Sequence, residues 1–361
     1  MATQGTVIVG LSGGVDSAVS AALLLEQGYA VSGLFMKNWD EDDDTEYCTA
    51  KQDLADARRV AKRLGIQLLT ANFAAEYWDH VFEDFLAEYK RGGTPNPDVL
   101  CNREIKFRYF ADYARSLGAD YIATGHYARL EAGPNGPELH RAVDDNKDQT
   151  YFLQAVAREQ FDNVLFPLGD WLKTDVRRKA AAEGLAVHDK RDSTGICFIG
   201  ERRLKDFLGT YLPPEPGPII DTSGTRLGDH PGIQFFTVGQ RQGLGIGGVR
   251  GAAEAPWIVA EKRRETNELV VTQDVATIER HRIIAEETNW LTDEPPAPGQ
   301  QLDGRIRHRQ ALSRCTLDTA DTARLTVRFE APQRGVNPGQ YLCLYDSSRC
   351  LGGARIVGSM L

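Results

Sequence analysis

Ser12-Gly13-Gly14-Val15-Asp16-Ser17 lies between the apolar run Val7-Ile8-Val9-Gly10-Leu11 and the alanine- and leucine-rich stretch Ala18-Val19-Ser20-Ala21-Ala22-Leu23-Leu24-Leu25. β-Branched residues bounded by glycine read as a buried strand, and the stretch that ends at Gly28 reads as a helix with a glycine stop. The short loop therefore joins the carboxyl end of a strand to the amino terminus of a helix. Two glycines let backbone amides approach an anion, and two serines add hydroxyl donors at the positive end of the helix dipole. This is a phosphate cradle. It is not of the Walker type, because the Lys-Ser/Thr pair is absent and aspartate stands next to last.

The segments that follow alternate. Val31–Met36 reads as a strand, 50–64 as a helix stopped by Gly65, Ile66–Leu69 as a strand and 76–89 as a helix. In the last of these, Trp78, Val81, Phe82, Phe85 and Leu86 at helical spacing predict core. Residues 103–117 read as a further helix and 120–124 as a strand. Such alternation predicts a doubly wound parallel sheet, which binds ligands at the carboxyl ends of its strands. The loop, Met36, Gly125 and His126 should then share one rim.

Residues 128–143 read as a hairpin beyond that sheet, and 174–183 as a helix. Composition changes at Leu212-Pro213-Pro214-Glu215-Pro216-Gly217-Pro218, where long helical patterns give way to glycine-rich, β-branched segments. Strands are expected within 221–227, 235–248, 257–260, 269–272, 305–307, 325–329, 340–345 and 354–357. The chain divides into an α/β catalytic domain (1–211), a small β-rich domain (212–275) and a β-barrel or sandwich (276–361).

The chain's 361 residues suffice for two or three domains. A formal charge of −9 argues against general nucleic-acid binding. Yet Arg177-Arg178-Lys179, Arg202-Arg203-Lys205, Arg263-Arg264 and Arg305-Ile306-Arg307-His308-Arg309 are local basic clusters. Each alone reads as a solvated face; together they leave room for an RNA surface. The acidic run 40–44 reads as a solvated loop. No apolar stretch has the length of a membrane span and no signal peptide pattern opens the chain, so the expected location is the cytoplasm. Six scattered cysteines without a C-x-x-C pair predict neither a disulfide framework nor a metal cluster.

Two cysteines stand out chemically. Cys101 lies just ahead of the helix expected at 103, where the dipole favours a thiolate, and Cys197 lies near Lys190 and Arg191. Either could be a nucleophile or an inert buried thiol.

The loop, in its strand-loop-helix setting, resembles the PP-loop of ATP pyrophosphatases, the adenine nucleotide alpha hydrolase-like fold. After it come, in order, Asn96-Pro97-Asp98 with Cys101-Asn102, Ala123-Thr124-Gly125-His126-Tyr127, Lys147-Asp148-Gln149 with Tyr151-Phe152-Leu153, and Ser193-Thr194-Gly195-Ile196-Cys197-Phe198-Ile199. This series resembles the tRNA-specific 2-thiouridylases, the bacterial MnmA family. The resemblance implies ATP-dependent adenylation of the C2 oxygen of the wobble uridine in tRNAs for lysine, glutamate and glutamine. Sulfur transfer to C2 follows, giving 2-thiouridine, AMP and pyrophosphate, with ATP and Mg²⁺ as cofactors.

By the same resemblance, Cys197 carries the persulfide, Cys101 is the second catalytic cysteine and the two end as a disulfide. Asp98 is the acid or base beside the target base. ATP contacts fall on Gly10, Leu11, Ser12, Gly13, Gly14, Val15, Asp16, Ser17, Met36 and Gly125. Asn96, Pro97 and Asp98 surround the base, and His126, Lys147, Asp148, Gln149, Arg307, His308 and Gln340 match tRNA contacts. His308 departs from the family's tyrosine. A sulfur donor protein, either a cysteine desulfurase or a relay carrier, and a monomeric state are expected.

Three rival readings compete. An ammonia-using ligase or amidotransferase needs no cysteine pair and comes with an ammonia source, which this sequence lacks. A 2-thiocytidine enzyme carries cluster-binding C-x-x-C. A nucleotide-sensing binding protein would have merely structural cysteines.

Overall fold

The computed structural model describes residues 3–40, 50–192, 196, 199, 202–247, 255–320 and 324–360. Strand β1 (Thr6–Gly10) supplies Val7, Ile8 and Val9 to the interior and leads through the loop into helix α1 (Val15–Glu26). It is flanked by β2 (Ala30–Lys37), which pairs outward with β3 (Gln67–Asn72). On its other side lies β4 (Tyr121–Ala123). A hairpin of β5 (Ala128–Gly133) and β6 (Gly136–Arg141) follows, and then β7 (Val164–Leu165) returns to pair with β4. The sheet is parallel throughout, in the order β3-β2-β1-β4-β7. Its winding reverses between β1 and β4, so the crevice for a ligand opens where β1 ends. Helix α2 (Ala50–Leu64) packs with α1 on one face through Val19, Leu23, Ala57 and Val60.

On the other face, residues 74–90 and 97–116 form two long helical segments, each with a π-helical stretch, Trp78–Phe82 and Cys101–Phe110. Val81, Phe82, Phe85, Ile105, Phe107 and Phe110 interlock there, so the aromatic stripe is core, as its spacing predicts.

β8 (Gly217–Asp221), β9 (Arg226–His230), β10 (Ile258–Arg263) and β11 (Glu268–Thr272) form a small sheet in the order β10-β11-β8-β9. It closes over Ile219, Phe236, Leu244, Val259 and Leu269. The last unit contains β12 (Glu279–Trp290), β13 (Gln301–Arg305), β14 (Ser313–Ala320), β15 (Arg324–Arg334), β16 (Tyr341–Asp346) and β17 (Arg349–Met360). These run β12-β15-β14-β13-β16-β17, and a β12–β17 pairing shuts the barrel, leaving no open edge among the six.

Several local expectations are corrected. The segment 221–227 is chiefly a turn: Asp221 accepts hydrogen bonds from the amides of Ser223 (2.8 Å) and Thr225 (2.9 Å), and that local pairing competes with strand formation. Residues 236–247 contain no strand. β13 stops at Arg305, and the chain turns through Arg309 at φ 62°. The 128–143 hairpin does lie beyond the parallel sheet, and it joins the barrel sheet by pairing His140 with Arg349. Arg305 is only 2% exposed, so that basic cluster is not simply a solvated face.

Candidate active site

The loop is shaped by its glycines. Gly13 has φ +77°, and a Cβ there would lie 2.2 Å from the Asp53 carbonyl oxygen. Gly125, at the end of β4, comes so close that its Cβ would sit 2.8 Å from the Ser17 amide nitrogen. A Cβ on Gly10 would touch Met36 Cε at 3.6 Å. The loop, Met36 and Gly125 therefore do share one rim.

Within the loop, Ser12 and Ser17 hydroxyl oxygens stand 3.2 Å apart, and the Ser17 hydroxyl also receives the Ser12 amide at 3.2 Å. Asp16 is already neutralised: Lys173 Nζ donates to both of its oxygens at 2.7 Å, and the Tyr127 hydroxyl donates at 2.8 Å. With that carboxylate paired, the donors of the helix start face a region favourable to an anion. The donor set fits a nucleotide phosphate.

The second half of the site is the segment from Asn96. Its helix begins at Pro97, not at residue 103, because proline at a first helical position loses no needed N–H and has its φ already set. Cys101 consequently lies one turn inside, only 5% exposed, where the dipole's help has begun to fade. Asn102 Nδ2 donates to the Asp98 carbonyl (3.0 Å) and to the Phe152 carbonyl (3.3 Å), tying this helix to 150–153. Burial pushes the Asp98 carboxyl above the usual range, against the pull of the Lys106 ammonium. Lys106 also faces His126, whose imidazole is held well below its usual value first by burial and then by that ammonium. His126 is 7% exposed, its Nδ1 lies 2.7 Å from the Thr124 hydroxyl, and Phe107 and Phe166 wall it in.

The positions matched to RNA contacts divide in two. Arg307 is exposed, while His308 lies with its ring 4.5 Å from Phe152. Burial and the nearby Arg305 and Arg309 hold that ring down to about 4, so it is neutral at pH 7. Lys147 Nζ is 2.5 Å from Asp192. By contrast Asp148 is 1% exposed and spends its oxygens on Arg305, on the Thr150 hydroxyl (2.9 and 3.0 Å) and on the Ala142 amide. Gln149 accepts from the Tyr127 amide (2.9 Å), and Gln340 Nε2 donates to the carbonyls of Thr94 (2.8 Å) and Pro95 (3.3 Å). His126 and Asp148 are thus buried, and Gln340 is half-buried with both amide protons spent on the Thr94 and Pro95 carbonyls.

Cys197, with 193–195, 198, 200 and 201, lies outside the described residues. The chain leading to it is anchored. Lys190 Nζ donates to the Gly13 carbonyl (3.1 Å) and pairs with Asp53 (2.7 Å) and Asp56 (2.6 Å), so its charge is already committed to these carboxylates. Asp192 pairs with Lys147, Lys173 (2.8 Å) and Arg177 (2.9 Å). Burial alone would raise its carboxyl, but Lys147 and Lys173 bring it down to about 2.

Three domain families match the chain in succession. They are described as the tRNA methyl transferase HUP domain over residues 5–201, the tRNA methyl transferase PRC-barrel domain over 205–273 and the aminomethyltransferase beta-barrel domain over 280–356. The tRNA-specific 2-thiouridylase MnmA of Alcanivorax borkumensis is 56% identical over 352 residues, covering 97% of this chain and 96% of that protein. The chain belongs to the tRNA-specific 2-thiouridylase MnmA family. MnmA proteins of Marinomonas sp. and Pseudomonas syringae pv. syringae are 54% and 56% identical over 97% of this chain and over 90% and 93% of their own lengths. Members of the family are tRNA sulfurtransferases, and this chain is one of them. Among solved structures, a 4-thiouridine synthetase–RNA complex with bound ATP overlaps 58% of this chain and 50% of its own, at 18% identity and a TM-score of 0.35. An NMN synthetase from Francisella tularensis overlaps 57% and 73%, at 19% identity and a TM-score of 0.34.

In this MnmA-family chain, sequence reasoning missed Lys106, Lys173 and Thr94. Lys106 and Lys173 sit in helices as ordinary-looking surface lysines, and only the fold shows the carboxylates and the imidazole they face. No motif marks Thr94, whose importance comes from partners 143 and more than 240 positions away in sequence.

Proposed function

We propose that the chain thiolates C2 of the wobble uridine in tRNAs for lysine, glutamate and glutamine after ATP-dependent adenylation of the C2 oxygen. One observation carries this reading. The phosphate cradle and the helical segment that carries Asp98 and Cys101 share a wall, because a Cβ on Gly10 would lie 3.6 Å from Phe110 Cζ, Gly125 touches the Ser17 amide, and the next residue, His126, has its ring 5.8 Å from that of Phe107. A base held by Asn96, Pro97 and Asp98 then lies beside a bound nucleotide.

ATP supplies a leaving group that turns the C2 oxygen into part of AMP, and Mg²⁺ arrives with its phosphates. Among the described residues no group of three His, Cys, Asp or Glu side chains could hold a metal ion. The residues hold and orient. Loop amides and the Ser12 and Ser17 hydroxyls neutralise phosphate charge, while Lys173 and Tyr127 keep Asp16 from opposing it. Asp98, its carboxyl raised by burial, can hold or move a proton at the base. Sulfur carried on Cys197 reaches C2, with Cys101 either releasing it as hydrosulfide or resolving the bond to Cys197. Both routes end in a Cys101–Cys197 disulfide, which needs the two Cα atoms within about 7 Å.

We assign adenylation and sulfur transfer to 1–211, and RNA seating to 212–275 and 276–361, with Lys147, Arg307 and His308 facing the anticodon region. The sulfur donor is a separate protein, and the enzyme works in the cytoplasm as a monomer. No helix among the described residues is long and apolar enough to cross a membrane.

The domain-family descriptions name methyl transfer, which makes it the second reading. The phosphate cradle favours thiolation, since methyl transfer has no use for pyrophosphate release. Pyrophosphate measured with and without unmodified tRNA separates the readings. The adenylating enzyme releases it only when tRNA is present; release independent of tRNA, or none, would overturn the proposal.

A further inference from the structure

Thr94 is the point at which the three units of the molecule meet. Its amide donates to the Pro338 carbonyl of the barrel (2.8 Å), and its carbonyl accepts from barrel residue Gln340 (2.8 Å). Its hydroxyl lies 3.2 Å from that of Thr237 in the central unit. The flanking glycines are packed equally tightly. A Cβ on Gly92 would lie 2.7 Å from Arg264 Cδ, and one on either Gly93 or Gly339 would collide with the Glu88 carboxylate. That carboxylate pairs with Arg355 of the barrel and, at 2.7 Å, with Arg91. Asn337 closes the junction from the other side: its side chain accepts from the Val238 amide (3.0 Å) and donates to the Val238 carbonyl (3.1 Å).

A second route runs from the same barrel segment to the same helix. The Tyr151 hydroxyl donates to the Tyr341 carbonyl (3.2 Å) and stands 3.5 Å from Gln340 Oε1. Next to Tyr151, the Phe152 carbonyl receives Asn102 Nδ2, which also holds the Asp98 carbonyl. Both routes end on the segment that carries Asp98 and Cys101.

We propose that Gln340 is a positioning residue. It fixes the carbonyls of Thr94 and Pro95 so that the seating of the barrel sets the start of the Pro97 helix, and with it Asp98 and Cys101. Through these carbonyls it contributes to turnover at saturating tRNA, separately from the RNA contact to which the same residue is matched. This inference rests on the function proposed above for Asp98 and Cys101, but the clamp itself does not. Both amide protons of Gln340 are spent on these carbonyls, while the Tyr151 hydroxyl gives its proton to the Tyr341 carbonyl, so Gln340 Oε1 keeps acceptor capacity on a half-buried residue. A displacement of the reacting groups by about 1 Å is enough to cost a large factor in rate.

The test uses the full chain and the volume-conserving variant Gln340→Met, which leaves the Thr94 and Pro95 carbonyls unpaired. Hydrogen exchange over 94–101 without RNA should quicken roughly three- to tenfold, the change expected in an opening equilibrium when one or two neutral hydrogen bonds are lost. Single-turnover thiolation at saturating tRNA should fall on the order of tenfold or more. Unchanged exchange over 94–101 overturns the proposal. So does wild-type turnover at saturating tRNA, whatever the affinity, the pattern of an RNA contact alone. Should Gln340→Met fail to fold, Thr237→Val removes only the hydroxyl partner of Thr94 and should shift exchange and turnover in the same directions by less; no shift in either overturns the clamp. If the wild-type chain makes no thiouridine, the functional reading fails, and the exchange measurement still decides the clamp.

Discussion

At the scale of single residues, charge and burial assign distinct duties to groups that look alike in the sequence. Asp98 and Asp192 are both carboxylates near the site, yet burial lifts the first, and Lys147 and Lys173 depress the second. For Asp192 the consequence can be signed. Its folded value, about 2, lies below the ordinary 3.8, so its ion pairs contribute stability above the ordinary value that is lost as pH falls from about 4 to about 2. Chemical denaturation of wild type and Asp192→Asn should therefore differ most at neutral pH and converge through that window; a constant difference would remove the ion pairs from the explanation. Cys101 carries a simpler expectation. Cys101→Ser should keep ATP and tRNA binding and lose thiolation, as judged by binding titration beside product analysis. Normal product from that variant would end the two-cysteine mechanism.

At the scale of elements, the phosphate loop was legible because its chemistry is local: two glycines, two serines and a helix start lie within six residues. Gly13→Ala tests the reading. The positive φ and the 2.2 Å approach to the Asp53 carbonyl forbid a Cβ unless the loop moves. Strain of roughly 1–3 kcal/mol is expected, which should weaken nucleotide binding by about tenfold or more; unchanged affinity by calorimetry would show the loop to be a plain connector. What escaped the sequence had non-local causes. β7 has only two residues, too few to show a period, and is a strand because β4 pairs with it. The helix at 97 was hidden by two prolines that read as loop, although one of them sits where a helix accepts it. The 128–143 hairpin gave its own turn away but not its neighbour, since the barrel strand it joins, β17, comes some 200 residues later, an interval read from the His140–Arg349 pairing.

At the scale of the whole molecule, three units converge on one loop. Asp148 shows why the sequence could not reveal this: it was matched to RNA contact, and the fold buries it against Arg305, a residue 157 positions away. Arg305 in turn looked like part of a basic surface cluster until the barrel closed around it. The remaining exposed cations serve an acidic chain of net charge −9, so RNA affinity depends on local patches and not on overall attraction. The log of the tRNA association constant should therefore fall with the log of salt concentration, each phosphate contact adding a slope of about 0.7 to 0.9; a flat dependence would contradict the proposed phosphate contacts. The chemistry of the site is read most directly on the tRNA. Wild-type enzyme incubated with unmodified tRNA, ATP, Mg²⁺ and a sulfide source, followed by nucleoside mass spectrometry, should yield 2-thiouridine at the wobble position with one pyrophosphate per base modified. A methylated nucleoside, or thiolation without pyrophosphate, would contradict it.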